Sequence, residues 1–193
     1  MHKLVIDTSN RYLYLTLIKG EKILAEKLLV GNNNHSEKLI DVIKETMKSL
    51  NLKASDLDQI YVGRGPGSYT GVRVACTVAK VLAYIKNIEL YSFDSLDLVL
   101  SAQLEKNGRY VSYMDARRGF CYAKAVEVCG GLIKVRQSAI YISFEDLKTK
   151  YSDYQFISAD IPNYKIMSLI KLGLFVKETN IHRFVPTYLR SGV

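Results

Sequence analysis

Seven residues, Gly65-Pro-Gly-Ser-Tyr-Thr-Gly71, hold three glycines and a proline between the apolar run Ile60-Tyr-Val62 and the small-residue run Val72 to Lys80. Glycine alone accepts positive φ freely and puts no side chain in the way, so a strand-to-helix turn of this kind suits a close approach of backbone. An anion cradle and a tight protein contact both fit it. Asp7-Thr-Ser9, at the end of Leu4-Val-Ile6, offers a carboxylate and two hydroxyls that could orient a metal-bound water or a phosphate. A plain hairpin, whose Asp and Ser satisfy neighbouring amides, uses the same residues. The candidates for a phosphate or cofactor site are therefore Asp7, Thr8, Ser9, Gly65, Gly67, Ser68 and Gly71.

Other chemistries find little support in the residue types. No lysine follows Gly71, where Val72-Arg73 stand, so the glycine turn is not a Walker loop. Ser68 has Gly67 before it but no glycine two places after, unlike a nucleophile elbow. His2, His35 and His182 are far apart and none belongs to a metal-binding or catalytic pair. Cys76, Cys121 and Cys129 lack Cys-x-x-Cys spacing, which speaks against a disulfide framework and for a reducing compartment. Arg73, and Arg117-Arg118 in the turn Asp115-Ala-Arg-Arg-Gly119, could grip a nucleotide, tRNA phosphate or partner carboxylate, or simply be solvated.

These residues need elements to position them. The 193 residues suffice for one domain or a compact pair of lobes. The net charge of +8 is spread thinly, with no clustered basic face in the sequence. The first apolar run is too short for a signal peptide or a membrane span, which predicts a cytoplasmic protein. Leu4 to Ile6, Leu13 to Leu17 and Ile23 to Leu29 read as an antiparallel meander. Leu39, Ile40, Ile43, Met47 and Leu50 then recur at helical spacing after a cap at Asn34 or Ser36. Asp58 to Val62 is a strand, Val72 to Tyr84 a helix apolar around most of its circumference, Glu89 to Tyr91 a strand and Ser95 to Ala102 a helix. From Asn107-Gly108 the order strand, acid, turn, strand repeats, with a capped helix at Ser143, a strand over 155–160 and a helix over 164–174. The prediction is an α/β protein of two βββαβα-like lobes, 1–106 and a shorter 107–193.

Ile6-Asp-Thr-Ser9, His35-Ser-Glu37, Gly65-Pro-Gly-Ser-Tyr-Thr-Gly-Val-Arg73, Ala79-Lys80, Asp115-Ala-Arg-Arg-Gly119 and Pro186-Thr-Tyr-Leu-Arg190 together closely resemble the TsaB (YeaZ) family. Its members are bacterial partner proteins in the threonylcarbamoyladenosine modification of tRNA. The resemblance implies the two-lobed actin-like ATPase fold (actin/Hsp70/sugar-kinase, ribonuclease H-like) with a truncated second lobe. It also implies a complex with the catalytic paralogue TsaD and the ATPase TsaE. That complex uses ATP and Mg²⁺ to transfer threonylcarbamoyl to N6 of adenosine 37 in tRNAs reading codons that begin with A.

TsaD is known for a His-x-x-x-His metal pair where this chain reads Ser92-Phe-Asp-Ser-Leu-Asp97, and kinases of the fold carry Asp-x-Gly where it reads Asp160-Ile-Pro162. The expectation is a non-catalytic scaffold with no metal or cofactor of its own, meeting tRNA through the complex and forming a homodimer when TsaD is absent. Its two first-lobe helices would pack on the partner through Leu39, Ile43, Met47, Val74, Val78 and Val81. The alternatives are a small ATP-binding phosphotransferase with Asp7 coordinating Mg²⁺, a glycopeptidase-like enzyme, and an autonomous tRNA binder.

Overall fold

The computed structural model describes residues 1–31 and 35–189; Asn34, a predicted cap, and Arg190, the end of the last quoted motif, lie outside the described residues. The chain runs β1 (His2–Asp7), β2 (Tyr12–Lys19), β3 (Lys22–Val30), α1 (His35–Ser49), β4 (Gln59–Gly63), α2 (Tyr69–Lys86), β5 (Glu89–Phe93) and α3 (Ser95–Leu100). It continues through β6 (Gly108–Asp115), β7 (Phe120–Cys129), β8 (Leu132–Ser143), α4 (Phe144–Lys150), β9 (Gln155–Ser158), α5 (Ile166–Leu172) and β10 (Val176–Lys177). Two compact units result, Met1–Phe93 with Phe175–Pro186, and Asp94–Leu174 with the segment from Thr187. The chain leaves the first unit at Phe93 rather than at Asn107. The reason lies in α3, whose Leu96 and Val99 pack with Met114 and Ala159 of the second unit.

The first sheet has the order β10-β5-β4-β1-β2-β3. β1, β2 and β3 form the antiparallel meander, while β4 runs parallel to β1 and β5 parallel to β4. Parallel neighbours require crossover connections, which α1 and α2 supply. Alternation along the strands sends Leu4, Ile6, Leu13, Leu15, Leu17, Ile60, Val62 and Leu90 to one face, where they meet both helices. Ala75, Ala79 and Ala83 recur every fourth residue and are all fully buried, so α2 lies close on the sheet along a spine of methyl groups. The two-residue β10 was not readable from sequence, because so short a strand has no period.

The second sheet has the order β8-β7-β6-β9, again three antiparallel strands with the fourth parallel to the first of them. Leu147 and Tyr151 at α4 cover one face over Val111, Cys121, Ala123 and Ala125; α3 covers Met114. The predicted repeat is therefore present in the topology. Its helices are shorter: α4 and α5 have 7 residues each, against 15 and 18 in α1 and α2. Ser143 caps α4 as the sequence implies, its Oγ accepting from the Asp146 amide at 3.1 Å. α1 begins at His35, so Ser36 lies inside the helix.

Candidate functional site

The two motif turns of the first unit come together. β1 and β4 are parallel neighbours with Ile6 opposite Val62, so Asp7-Thr8-Ser9 and the glycine turn leave the same end of the sheet. That is the carboxyl end, where open α/β sheets bind ligands. Asp7, only 2% exposed, accepts at Oδ1 from the Ser9 amide at 2.8 Å and from Ser9 Oγ at 2.6 Å. Thr8 Oγ1 donates to the Gly71 carbonyl at 2.6 Å, and the Ser68 amide donates to the Ser9 carbonyl at 2.6 Å. Ser68 caps α2, which starts at Tyr69, three residues before the apolar run begins.

The glycines are explained by this contact. A Cβ at Gly67 would lie 2.2 Å from the Ser9 carbonyl oxygen, and one at Gly71 would lie 2.0 Å from that of Thr8. Gly65 adds a positive φ of 95°. On the side where side chains are missing, the space is filled by the backbone of residues 8 and 9, and the Thr8 and Ser9 hydroxyls donate within the chain. The Cβ sides of Gly67 and Gly71 are thus taken by the chain's own backbone. A tight contact within the protein, one of the two readings the sequence leaves open, is present at Gly67 and Gly71.

The two buried cysteines are held as thiols. Burial, then the charge of Asp7, pushes the Cys76 thiol up to about 12, and burial pushes that of Cys121 up to about 11. Neither forms a thiolate at neutral pH. Among the described residues no three His, Cys, Asp or Glu side chains gather as a metal set.

The arginines picked out from sequence are all exposed. Arg73 is exposed on α2, donates to Tyr69 Oη at 2.6 Å and stacks 5.0 Å over its ring. Arg117 and Arg118 are exposed in the turn after β6 with φ of 67° and 54°, and the Arg117 amide donates to Asp115 Oδ1 at 3.0 Å.

The predicted partner face changes. Leu39, Ile43 and Met47 lie in the core of the first unit, because the apolar stripe of α1 is spent on the sheet. Val74 and Val78 are half-buried against the same core. Val81 is 47% exposed and continues into Tyr84 at 63% and Ile85 at 67%; Tyr69 and, on α1, Ile40 are exposed as well. Positions 69, 73, 77, 81 and 85 form a four-step stripe that was legible in the sequence but masked by the all-round apolarity of the helix.

Sequence reasoning also missed Lys124. Its Nζ lies 2.6 Å from Asp97 Oδ1 and 3.2 Å from Asp94 Oδ2, and Asp94 caps α3 by accepting from the Leu96 amide. Burial, offset in part by Lys124 and reinforced by Asp94, raises Asp97 to about 6. Burial pulls the Lys124 ammonium down, but Asp97 and Asp94 outweigh it and hold it above its ordinary value. A lone lysine inside Tyr122-Ala-Lys-Ala-Val126 was the available signal.

The sequence profile of the family described as "TsaD: tRNA N6-adenosine threonylcarbamoyltransferase" matches residues 22–180. The chain belongs to this family. A relative from Bacillus subtilis (strain 168), named tRNA threonylcarbamoyladenosine biosynthesis protein TsaB, is 29% identical over 97% of this chain and 93% of its own length. The TsaB of Haemophilus influenzae is 29% identical over 64% of this chain and 52% of its own. YeaZ from Pseudomonas aeruginosa superposes with a TM-score of 0.79 at 20% identity, covering 97% of this chain and 99% of that one. The resemblance to TsaB (YeaZ) carried by the motifs thus extends along the chain, and the architecture is the α/β actin-like ATPase fold.

Proposed function

We propose that this chain is a non-catalytic scaffold and activator subunit of the complex that adds threonylcarbamoyl to N6 of adenosine 37 in tRNAs reading codons beginning with A. It acts in the cytoplasm by binding a TsaD paralogue and the ATPase TsaE, reaches tRNA only through that complex, and pairs with itself when TsaD is absent. The observation that carries this reading is the near end-to-end match to the B. subtilis protein named for threonylcarbamoyladenosine biosynthesis. Two features of the site support it. The glycine turn packs on the chain's own Thr8 and Ser9 backbone. The α2 helix presents Val81, Tyr84 and Ile85 to solvent as an apolar stripe suited to a partner helix.

Co-purification tests the interface. The double variant Val81→Asp/Ile85→Asp changes exposed positions, so it should fold normally and lose TsaD; a folded variant that still co-purifies with TsaD at wild-type yield sinks the assignment. Calorimetry with Mg-ATP tests the non-catalytic part: micromolar binding together with turnover by the isolated chain would favour the phosphotransferase instead.

A further inference from the structure

We propose that Phe120 and Tyr141, together with Arg117 and Arg118, form a platform that stacks an unpaired RNA base and pairs with its neighbouring phosphates. Alternation along β7 puts Phe120 and Tyr122 on one face of the second sheet and Cys121 and Ala123, which α4 covers, on the other. Tyr141 of β8 stands opposite Tyr122 and therefore shares its face. The three rings make a run that starts at the core and ends in solvent. Tyr122 packs on the cluster of Leu96, Val99, Met114 and Ala159 and lies 5.7 Å from the Tyr141 ring. Tyr141 in turn stacks on Phe120, their centroids 4.9 Å apart and their planes 6° from parallel. Phe120 is still 38% exposed, so the ring face turned away from Tyr141 and the ring edge meet solvent. A flat, supported π face of this kind takes a base of any type.

The cations sit in the adjoining turn. β6 and β9 are parallel neighbours with Tyr113 opposite Ser158, and Asp115-Ala-Arg-Arg-Gly119 leaves the carboxyl end of that pair, the end at which open α/β sheets take ligands. The turn is tied to the backbone of Phe120: the Ala116 amide donates to the Phe120 carbonyl at 2.9 Å and the Phe120 amide to the Arg117 carbonyl at 3.1 Å. Arg117, Arg118 and Gly119 have φ of 67°, 54° and 78°. Glycine or asparagine takes this left-handed conformation at less cost than arginine. Two arginines held there point to a use for their side chains. Among the described residues, Arg109 and Arg136 pair with carboxylates, whereas the exposed Arg117 and Arg118 guanidiniums make no ion pair. Unpaired guanidiniums are strong donors to phosphate, and the net charge of +8 favours encounter with a polyanion. An acidic protein segment would use the arginines and leave the π face idle; an unpaired nucleotide uses both. That the RNA is the tRNA of the modification reaction rests on the function proposed above, in which the complex delivers it.

The test is fluorescence anisotropy of a fluorescein-labelled oligouridylate titrated with the full chain at low ionic strength, circular dichroism reporting the fold. Wild type should bind, and the logarithm of its affinity should fall linearly with that of the salt concentration. Phe120→Ala should weaken binding roughly tenfold at an unchanged salt slope, which is the loss of one base stack. Arg117→Ala/Arg118→Ala should weaken it as well and flatten the slope by about 1.4, at about 0.7 for each phosphate contact removed. Phe120→Trp keeps a ring and should bind as wild type does. A wild-type chain that does not bind, or a folded Phe120→Ala chain that binds as tightly as wild type, overturns the proposal. So does a glutamate-rich peptide that binds more tightly through the same arginines, because it makes the surface a protein contact. If Phe120→Ala does not fold, Phe120→Leu carries the same test, since it fills the position without a π face. Oligouridylate binding that depends on Phe120, in a chain that fails to co-purify with TsaD, keeps this inference and removes the function proposed above; TsaD binding without oligouridylate binding does the reverse.

Discussion

The turns after β1 and after β6 start from the same local chemistry and end in opposite surroundings. Asp7 accepts from the amide of Ser9 at 2.8 Å, Asp115 from the amide of Arg117 at 3.0 Å. Around each, the strands follow one pattern, β4-β1-β2-β3 in the first sheet and β9-β6-β7-β8 in the second. Yet Asp7, Thr8 and Ser9 are buried, while Asp115, Arg117 and Arg118 are exposed. What differs is the chain after the parallel strand. The turn after β4 carries glycines that let it press onto Thr8 and Ser9; residues 159–165 after β9 contain none. Repeating a topology does not repeat its burial, because burial here depends on a second segment small enough to come close.

The second unit has its own buried polar site, and the largest expected effect lies there. Lys124→Met should lower the unfolding free energy by about 3–5 kcal/mol, since it leaves two carboxylates facing no cation. Urea denaturation measures this; a loss below about 1 kcal/mol would mark the triad as an ordinary solvated pair. The same triad sets a pH dependence. Asp97, raised from 3.8 to about 6, binds its proton more tightly folded than unfolded. Its stabilising contribution is complete below its unfolded pKa and is lost as pH rises through its folded value. Asp97→Asn should remove that fall, and identical pH profiles for the two proteins would contradict it.

Gly71→Ala comes next, at about 1–3 kcal/mol or more, because the added methyl meets backbone rather than a movable side chain. Its counterpart Gly119→Ala meets nothing within 4 Å and has a φ of +78°. It should cost about 1–2 kcal/mol from the backbone conformation alone. Equal losses would mean that the first-unit contact is looser than its geometry. The aspartates extend the comparison. Asp7→Ala removes two hydrogen bonds to Ser9 in a buried turn and should cost about 1–3 kcal/mol, whereas the exposed Asp115→Ala should stay within about 0.5 kcal/mol. Thermal melts of the two variants side by side decide it.

Much of the fold was legible because it rests on short-range periods. The meander, the α1 and α2 stripes and the Ser143 cap follow from alternation, helical spacing and capping chemistry that neighbours in sequence share. The α3 boundary was not legible, since nothing local says which sheet Leu96 and Val99 will cover. The partner face was misread for a related reason: Leu39, Ile43 and Met47 have the spacing of a stripe, and a stripe says that a face is buried without saying by what.

By itself, the sequence determined the family likeness, the repeated strand order and the fact that something must come close to Gly65-Pro-Gly-Ser-Tyr-Thr-Gly71, because residue types and spacing are local quantities. Tertiary structure decided what that something is. Only the pairing of β1 with β4 sets the Thr8 and Ser9 carbonyls against the glycines, and only the return of the chain through β10 lays Glu178 on Arg64 and Ser92. Both contacts join residues more than fifty positions apart, and no pattern in a short window of sequence can carry them.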